Sequence, residues 1–260
     1  MSSTDARLGL LQVTKLGIHF GGLRAVEAFS LNLPAGGLYG LIGPNGAGKT
    51  TVFNLLTGVY APKTGRVTLA GRTIRGLAPH RIANAGLART FQNIRLFGAL
   101  TVLENVLLGG QLRHRHSLWG AICRGPAMLH SERTLHERAM ELLRVFGLAD
   151  RANAPAQSLS YGQQRAVEIA RALATQPKVL LLDEPAAGMN TTEKSALAHT
   201  IRQVRDQFQV AILLIEHDMA LVMNVCEQIT VLDHGKIIAH ATPQEIQNNP
   251  RVIEAYLGAG

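Results

Sequence analysis

Leu38-Tyr39-Gly40-Leu41-Ile42-Gly43-Pro44-Asn45-Gly46-Ala47-Gly48-Lys49-Thr50-Thr51 runs from five mostly apolar residues through a glycine-rich turn to a lysine and two hydroxyls. The apolar part reads as a buried strand (Leu38–Gly43) and Lys49–Leu56 as a helix closed by Gly58, where a left-handed residue costs little. Glycines between strand and helix let backbone N–H groups and the helix N-terminus curl around phosphate oxygens. Lys49 adds a mobile positive charge for terminal phosphates, and the Thr50 hydroxyl is a hard ligand for Mg²⁺. An ordinary glycine-rich turn is the alternative, but the strand–loop–helix setting favours a nucleotide phosphate loop.

Further along, Val179–Asp183 is an apolar run that delivers Asp183 and Glu184 at its carboxyl end, where open α/β sheets bind ligands. Successive strand residues face opposite ways, so the two carboxylates are expected to divide the work. Asp183 is assigned to the metal shell and Glu184 to polarising an attacking water. Val210–Glu216 and Ile229–Leu232 are similar runs, as a parallel sheet covered on both faces requires. Leu8–Val13, and Val67–Ala70 with Thr73–Ile74, read as further strands. His234–Gly235 reads as a hairpin turn into Lys236–Ala239, and Thr242–Leu257 as a short helical tail. Between the two groups of strands, Thr101–Leu148 has helical periodicity, with loops expected at Gly109–Gly110 and Gly125–Pro126. The expected class is thus α/β, a sheet interrupted by a helical insert.

Leu159-Ser160-Tyr161-Gly162-Gln163-Gln164 opens another helix. Ser160 and Gln163 make an acceptable capping box. Gly162 in the first turn weakens that helix by about 0.5–1 kcal/mol, which is easier to understand if an anion approaches the backbone. One chain with two phosphate-binding elements suggests two chains facing each other. His217, at the end of an apolar run, taken alone reads more readily as a satisfied structural residue than as a ligand.

Composition narrows the remaining choices. Of 260 residues 47% are hydrophobic and 17% charged, so the chain has ample material for a core. No apolar run approaches the roughly 18 residues of a membrane-spanning helix, and the N-terminus lacks a secretory apolar stretch, so the protein is expected to stay where it is made. Two distant cysteines, Cys123 and Cys226, suit a reducing compartment. The net charge of +8 fits either nucleic acid or a surface near phosphates and anionic lipid. The acid-free stretch from Asn105 to Ser131, with Arg113, Arg115 and Arg124, has only Trp119 for base stacking, which argues against nucleic acid.

Together these motifs resemble the ATP-binding subunits of ABC transporters. The resemblance spans residues 8–260 and implies a P-loop NTPase (RecA-like) mixed-sheet core with an N-terminal antiparallel β part. It divides the chain into a core of 8–92 and 162–240, a helical subdomain of about 93–161 and a C-terminal appendage of 241–260. It makes Gly43–Thr51 the phosphate loop, Gln92 the Q-loop glutamine that meets Mg²⁺ and water, and Ser160, Gly162 and Gln163 the signature contacts to a second subunit's nucleotide. It makes Glu184 the catalytic base, with His217 (the switch histidine) and Lys49 as its catalytic companions. Phe20 falls where the family stacks an aromatic ring on adenine, with Val26 close by. Four stretches, Phe20–Val26, Arg89–Phe97, Asp183–Asn190 and Asn248–Leu257, are more specifically similar to the larger ATPase of branched-chain amino-acid importers. That implies ATP and Mg²⁺, transmembrane permease subunits, a second ATP-binding subunit, indirectly a solute-binding protein, and a peripheral place on the cytoplasmic face of the inner membrane. Tyr161 replaces the usual first signature glycine, Asn190 the usual D-loop aspartate, and Phe20 the commoner tyrosine. A soluble relative acting on nucleic acid or ribosomes is the alternative, but such relatives usually carry two cassettes or long coiled coils. A GTPase would need an Asn-Lys-x-Asp run, which is absent. Of the apolar residues Phe91, Ile94, Leu96 and Phe97 around Gln92, Leu96 or Phe97 is expected to help line a groove for a short helix of the membrane subunit, the alternative being that all four pack inside the helical lobe.

Overall fold

A computed structural model of the chain describes residues 9–111 and 126–257. The expectations for Leu8, Cys123, Gly125 and the basic residues Arg113, Arg115 and Arg124 lie outside the described residues.

Two sheets are present among the described residues. The first is antiparallel in the order β2-β1-β4-β5, from β1 (Leu11–Phe20), β2 (Leu23–Leu33), β4 (Thr64–Leu69) and β5 (Arg72–Thr73). The second has the order β10-β9-β3-β8-β7-β6, from β3 (Leu38–Ile42), β6 (Leu87–Arg89), β7 (Val179–Asp183), β8 (Ala211–Ile215), β9 (Gln228–Asp233) and β10 (Lys236–Ala241). Its strands are parallel except β10, which returns from the His234–Gly235 turn antiparallel to β9.

The period of two along β7 builds the interior. Val179 and Leu181 face a core shared with the antiparallel sheet and with Phe53 and Leu56 of α1 (Lys49–Leu56). Leu180 and Leu182 face a second core that takes in α3 (Val102–Gln111), α4 (Pro126–Val145), α5 (Tyr161–Ala174) and α6 (Thr191–Phe208). Both faces of β7 are therefore covered, which is why its five residues are uniformly apolar until the terminal aspartate. The described residues also include short helices: α2 (Pro79–Ala85), α7 (Met219–Val225), and α8 (Pro243–Gln247) with α9 (Pro250–Leu257) in the tail.

Three expectations need correction. Gly109–Gly110 is no loop: both residues lie in α3 and are buried where helices cross. A Cβ at Gly109 would fall 2.1 Å from the Arg171 carbonyl oxygen, and one at Gly110 would fall 2.1 Å from Leu135 Cδ1. Glycine here permits close helix packing rather than a turn. Pro126 likewise begins α4, its missing N–H being no loss in a first turn. Finally, β7 ends at Asp183; Glu184 lies beyond it with φ 46°, so strand alternation is not what separates the two carboxylates.

Candidate active site

The turn between β3 and α1 is shaped by its glycines. Gly43 (φ 150°) could not carry a Cβ, which would lie 2.0 Å from the Leu232 carbonyl oxygen. At Gly48 (φ 105°) the Ala25 carbonyl would be 2.6 Å away. Gly48 is also the N-cap of α1 and supplies no side-chain cap, leaving the first-turn N–H groups without one. Pro44, Asn45 and Gly46 form the open rim, with Ala47 buried behind them. Lys49 is buried, and its Nζ donates to the carbonyl oxygens of Gly43 (2.7 Å) and Pro44 (2.9 Å). Burial lowers its pKa below the ordinary lysine value, while the charges of Glu184 and Asp183 act the other way. Thr50 is exposed at the start of α1 and Thr51 half-buried.

The carboxyl end of β7, two strands from β3 in the same sheet, brings the acids to this loop. Asp183 Oδ2 is paired with Arg89 Nη2 at 2.7 Å, both side chains nearly buried. Arg89 Nη1 donates to Asn54 Oδ1 (2.7 Å), and its guanidinium lies over the rings of Phe53 and Phe91. Sequence reasoning missed this arginine. Asp183 Oδ1 carries no hydrogen bond among the described residues. Glu184 Oε2 accepts from Gln92 Nε2 at 2.9 Å and lies 3.8 Å from His217 Nδ1. The left-handed backbone of Glu184 is uncommon for a residue with a side chain, and such strain collects at functional sites. Its N–H still donates to the Ile215 carbonyl (2.9 Å), the contact that holds this conformation. Glu216, a second missed residue, is fully buried and accepts from the N–H groups of Ala186 (2.7 Å) and His217 (3.1 Å). It ties the segment after Glu184 to the one carrying His217, and burial raises its carboxyl pKa.

Lys49, Gln92, Asp183, Glu184 and His217 thus meet at the carboxyl edge of β3, β7 and β8. Phe20 stands apart, 46% exposed and edge-on to Tyr60 at 5.3 Å. The Val26 side chain is buried in the core behind the loop, so it offers a ligand no accessible surface here. Ser160 caps α5 in a true capping box with Gln163. Among the described residues, Ser160, Gly162 and Gln163 make no hydrogen bond to the phosphate loop or to either carboxylate. Asn190, standing in for the aspartate, caps α6 and pairs with Glu193.

No cluster of three or more His, Cys, Asp or Glu side chains stands ready for a metal among the described residues. Mg²⁺ is commonly held by one or two carboxylates together with substrate phosphates. An exposed Thr50 hydroxyl, one unengaged Asp183 oxygen and the Gln92 amide suit that pattern.

Phe91, the residue before Gln92, helps line a largely apolar groove of about 490 Å³ together with Val59, Ile82, Leu87, Phe97 and Leu108, with Arg89, Glu168 and Arg171 also on its wall. Phe97 is 57% exposed, whereas Leu96 packs against the core.

A glycine-rich loop between a strand and a helix, a buried lysine, and two acids at and just beyond the end of β7, two strands away in the same sheet, define a phosphate-loop nucleotide hydrolase. The profile of the ABC transporter family matches residues 26–187, and that of the branched-chain amino acid ATP-binding cassette transporters matches residues 236–260. The chain belongs to the ABC transporter family, as an ATP-hydrolysing subunit. It is 47% identical over 249 residues to the high-affinity branched-chain amino acid transport ATP-binding protein LivG of Salmonella typhimurium, covering 96% of this chain and 98% of LivG. It is 46% identical over 252 residues to BraF of Pseudomonas aeruginosa, which bears the same description, with the same coverage. The solved ATP-binding cassette MJ1267 in its ADP conformation superposes with a TM-score of 0.82 at 30% identity, over 96% of this chain and 98% of that one. No described helix is long and apolar enough to cross a membrane.

Proposed function

We propose that this ATPase drives uptake of branched-chain amino acids, or of a closely related small polar solute, through transmembrane permease subunits. The relatives named above support the solute class. The chain works as one of two facing ATP-binding subunits, identical or sister chains, on the cytoplasmic face of the inner membrane, and a solute-binding protein delivers the cargo.

ATP lies with its phosphates on Gly43–Thr51 and its adenine against Phe20. The loop's N–H groups and Lys49 hold the β- and γ-phosphates, Lys49 leaving the carbonyls it now occupies. Thr50, Asp183 and Gln92 would hold Mg²⁺, which would supply positive charge to offset that of the phosphates. Glu184 takes the proton of a water that attacks the γ-phosphorus as the bond to the β-phosphate oxygen breaks, leaving ADP and inorganic phosphate. Gln92 orients Glu184, and His217 contacts the γ-phosphate. Ser160, Gly162 and Gln163 have no nucleotide within their own chain and meet that of the second subunit.

The observation that carries the transport reading is the exposed Phe97 in an apolar groove, joined through Gln92 to Glu184. An exposed apolar groove of this kind suits a short helix of a membrane partner. The test is ATP-dependent uptake of radiolabelled leucine by membranes carrying the reconstituted complex, with wild type or Phe97→Asp. The variant is expected to bind ATP normally, while recovery with the membrane subunits falls and uptake is abolished. No uptake by wild type would sink the solute class, and normal assembly of the variant would place the docking surface elsewhere.

A further inference from the structure

After Thr90, whose N–H still donates to Leu181, residues 91–96 have no backbone partner for their N–H groups among the described residues. Buried side chains hold this segment instead. At one end Asn105, fully buried, accepts from the Phe97 N–H (2.9 Å) and donates to the Phe97 carbonyl (3.1 Å). At the other end stands Arg165 of α5, with no exposed surface. Its Nη1 donates to the Phe91 carbonyl (2.5 Å) and to Glu168 Oε2 (2.7 Å). Its Nη2 donates to the Gln92 carbonyl (2.6 Å) and to the Tyr161 hydroxyl (3.1 Å). Glu168 Oε1 faces the Phe91 and Arg95 N–H groups in longer contacts of 3.5 and 3.4 Å.

A buried ion pair is a poor way to gain stability, because apolar residues of similar volume often hold a fold as well or better. What an arginine adds is a planar fork that grips two carbonyls at fixed spacing. Here the fork joins the backbone of the groove segment to a helix whose first turn is Ser160–Gln163. Arg165 is one turn behind that helix start, and Tyr161 reaches from the start back to Arg165. The Tyr161 ring also lies over Gly188, where a Cβ would be 3.5 Å from Tyr161 Cε1.

We propose that Arg165 is a positioning residue, a latch that makes the Gln92 segment and α5 move as one body. Displacement of Phe91 in the groove then travels through Arg165 to the helix start offered to the second subunit's nucleotide, as well as through the Gln92 side chain to Glu184. The inference rests on the docking role of the groove and adds the route by which docking reaches the opposite active site.

The test compares wild type, Arg165→Lys and the double variant Arg165→Met with Glu168→Met. Each is assembled with the membrane subunits and assayed for thermal melting, copurification and stimulation of ATP hydrolysis by the partner. The double variant removes both charges together and is expected to fold, to copurify and to keep the unstimulated hydrolysis of the isolated subunit. Its stimulation by the partner is expected to fall about tenfold, within the usual range for coupling between sites. Arg165→Lys restores a charge opposite Glu168 without the fork and is expected to share that loss. Full stimulation in the double variant, or full recovery by lysine, overturns the latch while the groove stands. Absence of stimulation in wild type sinks the docking reading and this inference with it.

Discussion

Replacing Arg89 by methionine tests the electrostatics of the acidic edge. Arg89 Nη2 is the charged partner of a carboxylate whose side chain is only 4% exposed. Removing one member of a buried pair usually costs about 3–5 kcal/mol, because the remaining charge stays desolvated. Two features soften that loss. Methionine fills much of the same space between Phe53 and Phe91, and a sulfur–aromatic contact contributes roughly 0.3–1.5 kcal/mol. The Lys49 amine is also close enough for Asp183 to raise its pKa. A net loss of about 3 kcal/mol is therefore expected for the protein without nucleotide, read from the urea midpoint at unchanged slope. The gap between wild type and variant should then narrow in saturating MgATP, because a cation beside Asp183 supplies the charge that the arginine gave. ATP with a chelator should not narrow it. A loss below about 1 kcal/mol would show that Asp183 does not depend on Arg89 for its charge. A gap indifferent to Mg²⁺ would remove Asp183 from the metal site.

Two further perturbations are sharp. Glu184→Gln keeps an oxygen for the Gln92 hydrogen bond but removes the base, so turnover should fall about 10²–10⁴-fold with ATP affinity retained. Gel filtration with MgATP should show a trapped dimer, and near-normal hydrolysis would dismiss Glu184 from the mechanism. Gly109→Ala gains about 1 kcal/mol of helix propensity but drives a Cβ into a backbone oxygen, an overpacking cost of about 1–3 kcal/mol or more. A net loss of up to about 2 kcal/mol in urea unfolding is expected, and greater stability would show that α3 and α5 separate freely.

What the sequence shows readily is whatever repeats locally. β7, β8 and β9 announce themselves as short apolar runs because both faces of their sheet are covered, and the His234–Gly235 turn fixes the return into β10. β2 was harder to see: only its second half alternates cleanly, with Phe29, Leu31 and Leu33 buried, and Ala28 interrupts it at φ 51°. Arg89 and Arg165 were illegible for another reason. The acid that pairs with Arg89 lies 94 residues away and the carbonyls that Arg165 grips lie 74 and 73 residues away, so local spacing does not mark either arginine as buried in its role.

The glycines make the same distinction within the active site. At Gly43 and Gly48 a Cβ would strike the protein's own backbone, and at Gly46 the backbone sits at φ 80°, so this chain's own conformation requires glycine at all three. Gly162 is different. It lies in the first turn of α5 with no positive φ, and a Cβ there would meet nothing nearer than Glu193 Oε1 at 3.4 Å. An alanine would fit this chain and would strengthen the helix by about 0.5–1 kcal/mol. The need for glycine at 162 is therefore met by nothing inside the chain. A phosphate group brought by a second subunit would supply it, since a helix start with exposed N–H groups is where an anion comes close to backbone.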